Sequence, residues 1–195
     1  APSFEVVSDT TVNNGDATTH TIYYTNGLSG TCKISGTATS TLGTIPGACG
    51  GDVTETWNAI DACGNKISTS RIIHVKSANA PEFDSVADID VACGGATTHV
   101  LHYSNGQTGG SEISGDVTST LSTIPNACGG DVTETWSVTD DCGNKVTASR
   151  IIHVAPATAP TFDAVSDINV ACGEATTHKL NYSNGLSGNC EISGE

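Results

Sequence analysis

The chain has 195 residues and a formal net charge of −14, with 21 acidic and only seven basic residues. Such an acidic surface disfavours nucleic acid, whose phosphates require basic residues, and it disfavours an anionic membrane. The acidic charge therefore predicts no nucleic-acid partner. Because no apolar run approaches the ~20 residues that span a bilayer, we also expect no membrane insertion in this segment.

The sequence is repetitive. The motif Ala-Pro-x-Phe begins at Ala1 and returns at Ala80 and Ala159, a period of 79 residues without insertion or deletion. Since the chain contains no Met and no signal-peptide pattern, we interpret it as an internal piece of an exported protein. The period predicts tandem domains, which are repeat 1 (1–79), repeat 2 (80–158) and an incomplete repeat 3 (159–195).

Turn residues interrupt each repeat every few positions, and no 3.6-residue period indicates a helix. Six or seven short strands in a repeat of 79 residues predict an all-β fold of tandem immunoglobulin-like β-sandwich domains. Short connectors before each Ala-Pro predict that these domains form a rod-like array. In repeat 2 the predicted strands are 83–91, 97–103, 112–113, 117–124, 131–139 and 145–154.

The predicted strand 131–139 carries Trp136, which is the equivalent of Trp57 in repeat 1. Alternation places Trp136 on one face with Val132, so we predict that both tryptophans are core residues rather than platforms for stacking sugars. Glu134 falls on the same face. We therefore expect the first half of this strand to lie near solvent.

The cysteines recur with the repeats and never form C-x-x-C pairs or Cys/His clusters. This pattern favours disulfides over a metal site and indicates an oxidising compartment outside the cytoplasm. Four positions of the repeat carry cysteine, and we name them the first-loop position (Cys93, Cys172), the second-loop position (Cys32, Cys190), the strand-entry position (Cys49, Cys128) and the exit-turn position (Cys63, Cys142).

Sandwich geometry restricts the pairing of these cysteines. Cys49 and Cys63 flank a strand that spans roughly 30 Å at ~3.3 Å per residue, whereas a disulfide requires Cα atoms within about 7 Å. In an immunoglobulin-like sandwich, the first loop and the strand entry lie at one end, and the second loop and the exit turn lie at the other. We therefore predict that Cys93 pairs with Cys128 and that Cys32 pairs with Cys63.

Two cysteines are left over by this scheme. Cys49 and Cys142 lack partners within their own repeats, because Asn14 and Ser111 occupy the partner positions. Cys49 belongs to the C-terminal end of repeat 1 and Cys142 to the N-terminal end of repeat 2. Our hypothesis is a bond between them across the domain junction. Free thiols, or bonds to neighbouring chains, are the alternatives.

Histidines are the first place to look for an active site, but here they recur with the repeats. His20, His99 and His178 recur at the repeat period, as do His74 and His153, and recurrence in every unit is typical of structural residues. No nucleophile, zinc or phosphate-binding motif accompanies them. We therefore expect a chain without catalytic residues.

Calcium is the one ion for which the sequence supplies candidate oxygen ligands. Several aspartates lie near the predicted domain ends, but none belongs to a dense D-x-D-x-D loop, and aspartate in turns usually caps the backbone. The prediction is no cofactor and no metal ligand, with Ca²⁺ as the alternative. The aspartates concerned are Asp9, Asp61, Asp88, Asp140, Asp141 and Asp167.

One stretch of the repeat resembles a known family. Residues 128–144 read Cys-Gly-Gly-Asp-Val-Thr-Glu-Thr-Trp-Ser-Val-Thr-Asp-Asp-Cys-Gly-Asn, and residues 88–94 upstream read Asp-Ile-Asp-Val-Ala-Cys-Gly. This pattern is similar to the HYR-type immunoglobulin-like repeats of giant Bacteroidetes surface proteins, which include gliding-motility adhesins. The resemblance implies many more repeats, an N-terminal export signal, and anchoring at the outer membrane through regions outside this segment.

Two tripeptides match the Asp-Ser/Thr-hydrophobic pattern at which Bacteroidetes attach O-glycans to exported proteins. They are Asp9-Thr10-Thr11 and Asp84-Ser85-Val86. Thr10 and Ser85 are therefore glycosylation candidates.

The function expected from the sequence is a structural stalk in a secreted, cell-surface adhesin for attachment or gliding motility. Its expected partners are neighbouring repeats of the same chain. Two alternatives stay open at this point. The repeat surfaces could bind extracellular polysaccharide or a partner protein directly, or the chain could be a filament subunit whose incomplete repeat 3 is completed by the next chain.

Overall fold

The computed structural model describes residues 1–174 and 176–195, which form β-strands, short 3-10 turns and loops. The prediction of an all-β fold is confirmed. Repeat 1 contains seven strands: β1 (Ser3–Phe4), β2 (Thr10–Val12), β3 (Thr21–Thr25), β4 (Ser35–Thr39), β5 (Thr41–Leu42), β6 (Gly51–Ile60) and β7 (Lys66–Val75).

The strands of repeat 1 form two sheets, in the orders β1-β3-β4 and β2-β7-β6-β5. Strand β2 runs parallel to β7, with Thr10 opposite Ile73. The other neighbours are antiparallel. Strands β6 and β7 form a long hairpin in which Ile60 lies opposite Lys66 next to the turn. The strand-entry and exit-turn positions therefore lie at opposite ends of this hairpin.

Trp57 in β6 has no exposed surface and forms the centre of the repeat 1 core. It packs with Ile22 of β3 and Ala38 of β4, so the two sheets face each other across it as a sandwich. Trp136 is equally buried in repeat 2, at 1% exposure. The prediction that both tryptophans are core residues is confirmed, and a tryptophan without an exposed face cannot stack on a sugar.

Repeat 2 forms the same elements in the same order. The predicted strand 83–91 is two short strands in different sheets, because residues 84–88 cross from one sheet to the other. The sheet orders are β8-β10-β11 and β9-β14-β13-β12, with β9 parallel to β14. The strands are β8 (Glu82–Phe83), β9 (Ile89–Val91), β10 (Val100–Ser104), β11 (Ser114–Thr118), β12 (Thr120–Leu121), β13 (Gly130–Thr139) and β14 (Lys145–Val154).

Repeat 3 contributes one small sheet in the order β15-β16-β17, formed by Thr161–Phe162, Tyr182–Ser183 and Ser193–Gly194. Phe162 and Val170 are 67% and 51% exposed. Their equivalents in repeat 1, Phe4 and Val12, pack against cores built on β6 and β7.

The chain divides into two compact units, and neither coincides with a single repeat. One unit comprises Ala1–Glu82, Tyr103–Gly115 and Thr139–Lys145, which are repeat 1 and three segments of repeat 2. The other comprises Phe83–His102, Asp116–Val138 and Val146–Glu195. Each unit therefore contains one junction between consecutive repeats. Within the described residues, no helix has the length and hydropathy needed to cross a membrane.

Candidate functional site at the repeat junctions

A disulfide joins repeat 1 to repeat 2. Cys49 lies two residues before β6, and Cys142 lies in the turn that follows β13. Their sulfur atoms are 2.12 Å apart and their Cα atoms 5.0 Å apart, across 93 residues of sequence. The strand-entry position of one repeat is thus bonded to the exit-turn position of the next, which is the bond hypothesised for the two leftover cysteines.

A second, noncovalent contact lies in the same junction. Ser111 Oγ donates a hydrogen bond of 2.6 Å to Asn14 Oδ1. Asn14 Nδ2 donates to the carbonyl oxygens of Gly47 and Lys76, at 2.8 and 3.2 Å. Because Ser111 is buried to 8% exposure, this polar pair requires its hydrogen bond. The first-loop position of repeat 1 is therefore held against the second-loop position of repeat 2.

The junction between repeats 2 and 3 uses these same positions with cysteines in place of the polar pair. Cys93 occupies the position of Asn14, and Cys190 occupies that of Ser111. The two cysteines form a disulfide with sulfur atoms 1.96 Å apart and Cα atoms 5.9 Å apart, across 97 residues. In each junction, the first loop of one repeat therefore meets the second loop of the next.

A glycine makes room for this contact in both junctions. Gly15 follows Asn14 and Gly94 follows Cys93, and both have the positive φ values, +87° and +80°, that side chains rarely adopt. A Cβ atom at Gly15 would lie 3.3 Å from Ser111 Oγ, and one at Gly94 would lie 3.5 Å from Cys190 Sγ. The glycine permits the tight turn and also lets the next repeat approach the backbone.

The two disulfides predicted within single repeats are wrong. Cys93 bonds to Cys190 rather than to Cys128, and Cys32 and Cys63 are both unpaired and exposed. The first loop and the strand entry do lie at one end of the repeat, since Asn14 donates to backbone beside Cys49. However, a sulfur forms only one such bond, and Cys49 and Cys93, which lie at that end, each bond to the next repeat.

Hydrogen bonds fix the loops that present these cysteines. Asn105 Nδ2 donates to the carbonyl oxygen of Ser111 at 2.8 Å, which holds the second loop. In the exit turn, Asp140 Oδ1 accepts from the backbone N–H groups of Cys142 and Asn144 at 2.9 and 2.8 Å. The side-chain hydrogen bond from Asn144 lowers the pKa of the Asp140 carboxyl below its ordinary value. The Asp140 carboxylate therefore stays charged, and continues to cap the turn, at lower pH than an ordinary aspartate would.

A buried carboxylate lies beside Trp57 in the core. Glu55 in β6 is fully buried. Burial raises its pKa, but hydrogen bonds from Ser40, His20 and Arg71 outweigh burial and hold the pKa of Glu55 below its ordinary value. Arg71 Nε donates to Glu55 Oε2 at 2.7 Å, and its guanidinium lies 5.6 Å from the centre of the Trp57 ring. The network joins both sheets.

Repeat 2 contains the same network, so the expectation that Glu134 marks a solvent-near segment is wrong. Glu134 is fully buried and pairs with Arg150 at 2.7 Å, while His99 N donates to Glu134 Oε1 at 2.9 Å. His99 O accepts a 3.0 Å hydrogen bond from Trp136 Nε1. The recurrence of this histidine thus coincides with contacts that hold the core together.

Several of the aspartates considered as calcium ligands accept hydrogen bonds from backbone N–H groups instead. Asp9 Oδ1 accepts from Ile72 N at 2.8 Å, and Asp88 Oδ1 accepts from Ile151 N at 2.7 Å. In the part of the chain that the structure describes, no group of three or more His, Cys, Asp or Glu residues is placed to hold a metal ion.

The two glycosylation candidates differ in accessibility. Thr10 is half-buried in β2, where it pairs with β7. Ser85 is exposed in the segment between β8 and β9. Both stay predictions, and Ser85 has the better access for a transferase.

Together, the site is a contact between the first loop of one repeat and the second loop of the next, present at both junctions, and a disulfide joins the consecutive repeats at each. Two disulfides indicate an oxidising environment. Neither a protein-family model nor a curated protein matches this chain.

Proposed function

We propose that this chain is part of a covalently reinforced stalk, formed by non-catalytic tandem repeats of a large secreted bacterial surface adhesin that serves attachment or gliding. The observation that carries the proposal is a disulfide between consecutive repeats at both junctions of the chain. Such bonds persist in extracellular space. They link each repeat to its neighbour, which is the property that a chain under tension needs.

The disulfides limit how far the chain extends when its ends are pulled. Cys49–Cys142 closes 93 residues and Cys93–Cys190 closes 97, and the two closed loops overlap. The shortest covalent path from Ala1 to Glu195 then contains about 100 residues, and at about 3.5 Å per residue its full extension is about 350 Å. Without disulfides, 195 residues extend to about 680 Å.

The features that recur between repeats support a structural role. Several of the repeated features are internal or at junctions: the Trp57 and Trp136 cores, their buried ion pairs, and the junction loops. By contrast, the half-exposed Tyr23 is replaced by His102 in repeat 2 and by Asn181 in repeat 3. A surface that bound one ligand through each repeat would keep its contact residues, so the variation favours a stalk.

Single-molecule pulling of the whole chain, attached through its termini, tests the mechanical basis of the proposal. We expect the fully unfolded oxidised chain to reach about half the contour length of the reduced chain. Cys32→Ser is the matched control and should leave both lengths unchanged, because Cys32 forms no bond in the chain. Equal lengths with and without reductant would remove the basis for a reinforced stalk.

The cellular part of the proposal needs a separate experiment. An antibody raised against this chain should label intact cells of the source organism, and removal of the repeats should reduce attachment or gliding. A signal confined to the cell interior would contradict the proposed location. Labelling without loss of attachment or movement would contradict the proposed role.

A further inference from the structure

We propose that the face of repeat 1 that carries Cys32 and Cys63 is a docking face for one further repeat of this type, which precedes repeat 1 and bonds to both cysteines. Both side chains are unpaired and exposed. The inference rests on the geometry of the junctions. It holds whether or not the protein is an adhesin.

The direction of bonding is the first argument. In both disulfides, the cysteine of the earlier repeat comes from the first-loop or strand-entry position, as Cys93 and Cys49 do. The cysteine of the later repeat comes from the second-loop or exit-turn position, as Cys190 and Cys142 do. Second-loop and exit-turn cysteines therefore bond backwards along the array.

This rule accounts for the four cysteines that have no bond. Cys32 and Cys63 belong to the two positions that bond backwards, and they lie in repeat 1, which has no earlier repeat in this chain. Cys128 and Cys172 belong to the positions that bond forwards. Their partners would lie 93 and 97 residues further on, by the separations seen in the two disulfides, and this exceeds the 195 residues of the chain.

The local structure around Cys32 matches that around a bonded equivalent. Asn26 Nδ2 donates to the carbonyl oxygen of Cys32 at 2.8 Å, and Asn184 Nδ2 donates to that of Cys190 at the same distance. Both cysteines end a 3-10 turn. Because the loop has the same hydrogen bonds with and without a partner, Cys32 is held in place for bonding before any partner arrives.

Cys63 is held in the same manner as its bonded equivalent. Asp61 Oδ1 accepts from Cys63 N at 2.9 Å, and Asp140 Oδ1 accepts from Cys142 N at 2.9 Å. Asn65 Nδ2 completes the turn by donating to Asp61 Oδ2 at 2.7 Å. Both backward-bonding positions of repeat 1 therefore have the geometry that supports a disulfide elsewhere in the chain.

The first loop of repeat 3 forms the same turn as the first loops of repeats 1 and 2. Among the described residues, no atom lies within 4 Å of a Cβ atom built at Gly173, although Gly173 has the φ of +89° that characterises the first loop. At the equivalent Gly15 and Gly94, that space holds Ser111 and Cys190 of the next repeat. The first loop thus forms its turn whether or not a repeat follows it.

The occupant of the docking face is defined by its own cysteines. It must carry cysteine at both the first-loop and strand-entry positions, which are 35 residues apart, as Cys93 and Cys128 are in repeat 2. Each new bond removes two hydrogen atoms from two thiols. Oxidised glutathione can accept them by thiol–disulfide exchange, in which one disulfide forms and two molecules of reduced glutathione are released.

The test adds a copy of residues 80–158 directly before Ala1 of the whole chain, so that the 79-residue period is kept. After refolding with oxidised glutathione, peptides are mapped without reduction. We expect Cys32 linked to the Cys93 of the added copy, and Cys63 linked to the Cys128 of the added copy. Formation of Cys49–Cys142 in the same molecule reports that the chain has folded.

The results that would overturn the proposal are distinct. Cys32 bonded to Cys63, either cysteine bonded to a second chain, or both alkylated as free thiols would each show that the face does not receive a preceding repeat. A matched variant with Cys128→Ser in the added copy alone should free Cys63 and leave the Cys32 bond intact. Loss of both bonds in that variant would contradict the proposal that Cys32 and Cys63 bond to the preceding repeat independently of each other.

Discussion

The two junctions of this chain place the same positions against each other and bond them differently. Between repeats 1 and 2, the strand entry and the exit turn are joined by Cys49–Cys142, and the two loops meet through a hydrogen bond from Ser111 to Asn14. Between repeats 2 and 3, the loops are joined by Cys93–Cys190. The arrangement of the loops is therefore common to both junctions, although the covalent bond is not.

The magnitudes separate what these two kinds of contact contribute. In the chain-entropy model, a disulfide that closes a loop of about 100 residues stabilises the fold by about 4.7 kcal/mol. A neutral hydrogen bond contributes about 1 kcal/mol. The hydrogen bond thus adds little to the stability of the junction, and the disulfide is the contact that keeps the repeats together when they are strained.

Removing the disulfide of the second junction should have the largest effect. Cys93→Ser with Cys190→Ser should lower the free energy of unfolding of the repeat 3 segment by about 4.7 kcal/mol, because this bond closes a loop of 97 residues. Hydrogen exchange of β16 and β17 measures the change. Cys172→Ser is the control, since Cys172 has no bond. Unchanged protection would show that the disulfide does not hold repeat 3.

Unlike the two junctions, the cores of repeats 1 and 2 should be destabilised equally by the same substitution. Glu55→Gln and Glu134→Gln each leave an arginine without its buried carboxylate, and each should cost about 4 kcal/mol. Urea unfolding of the two variants should therefore give the same loss. Glu5→Gln, at an exposed glutamate, is the control. A difference above 1 kcal/mol between the two core variants would contradict the equivalence of the repeats.

The same carboxylates make stability depend on pH. Hydrogen bonds place the pKa of Glu55 and of Glu134 below the ordinary value of 4.5. A lowered folded-state pKa contributes stability that is complete above pH 4.5 and is lost as the pH falls through the folded-state pKa. We expect urea midpoints to fall below pH 4.5 in the parent chain, and to fall less in Glu134→Gln. If the urea midpoints of the parent chain and of Glu134→Gln fell equally with pH, the lowered pKa of Glu134 would not be a source of the pH dependence.

The all-β fold and the buried tryptophans follow from the sequence because alternation and turn residues are local signals. The burial of Glu134 does not, since it depends on Arg150, His99 and Ser119, which reach it from distant parts of the repeat. A single strand shows only that a charged residue lies on the core face. The arginine at a fixed place in the next strand was the available signal for a buried ion pair.

The cysteine pairing shows a different limit. The ends of the sandwich at which each cysteine lies follow from strand lengths, and they exclude a bond between Cys49 and Cys63. Which of two adjacent cysteines bonds to which depends on side-chain direction, and that is set only when two repeats meet. The sequence did carry a signal for bonds between repeats, which is the pair Asn14 and Ser111. The first-loop cysteine is missing in repeat 1, and the second-loop cysteine that would bond to it is missing in repeat 2.

The first junction should accept a second disulfide. Asn14→Cys with Ser111→Cys reproduces the pair at the second junction, and Asn14 Oδ1 and Ser111 Oγ are already 2.6 Å apart. The new bond should raise the free energy of unfolding by about 3 kcal/mol, because the lost hydrogen bonds of Asn14 offset part of the entropic gain of about 4.7 kcal/mol. Mass spectrometry after alkylation shows the bond, and urea unfolding gives its effect. Asn14→Cys alone is the control, and a free thiol pair in the double variant would contradict the equivalence of the junctions.

The smallest expected effect separates the hydrogen bond from the disulfide within one junction. Ser111→Ala removes the donor to Asn14 Oδ1, which should cost about 1 kcal/mol, because Asn14 keeps its bonds from Nδ2 to backbone carbonyls. In the oxidised chain, Cys49–Cys142 keeps the loops together, so the loss should be smaller than in a chain that carries Cys49→Ser and Cys142→Ser. A double-mutant cycle over these changes measures the coupling. A coupling of zero would mean that the two contacts of the junction act independently, and the hydrogen bond would then have no part in orienting the disulfide.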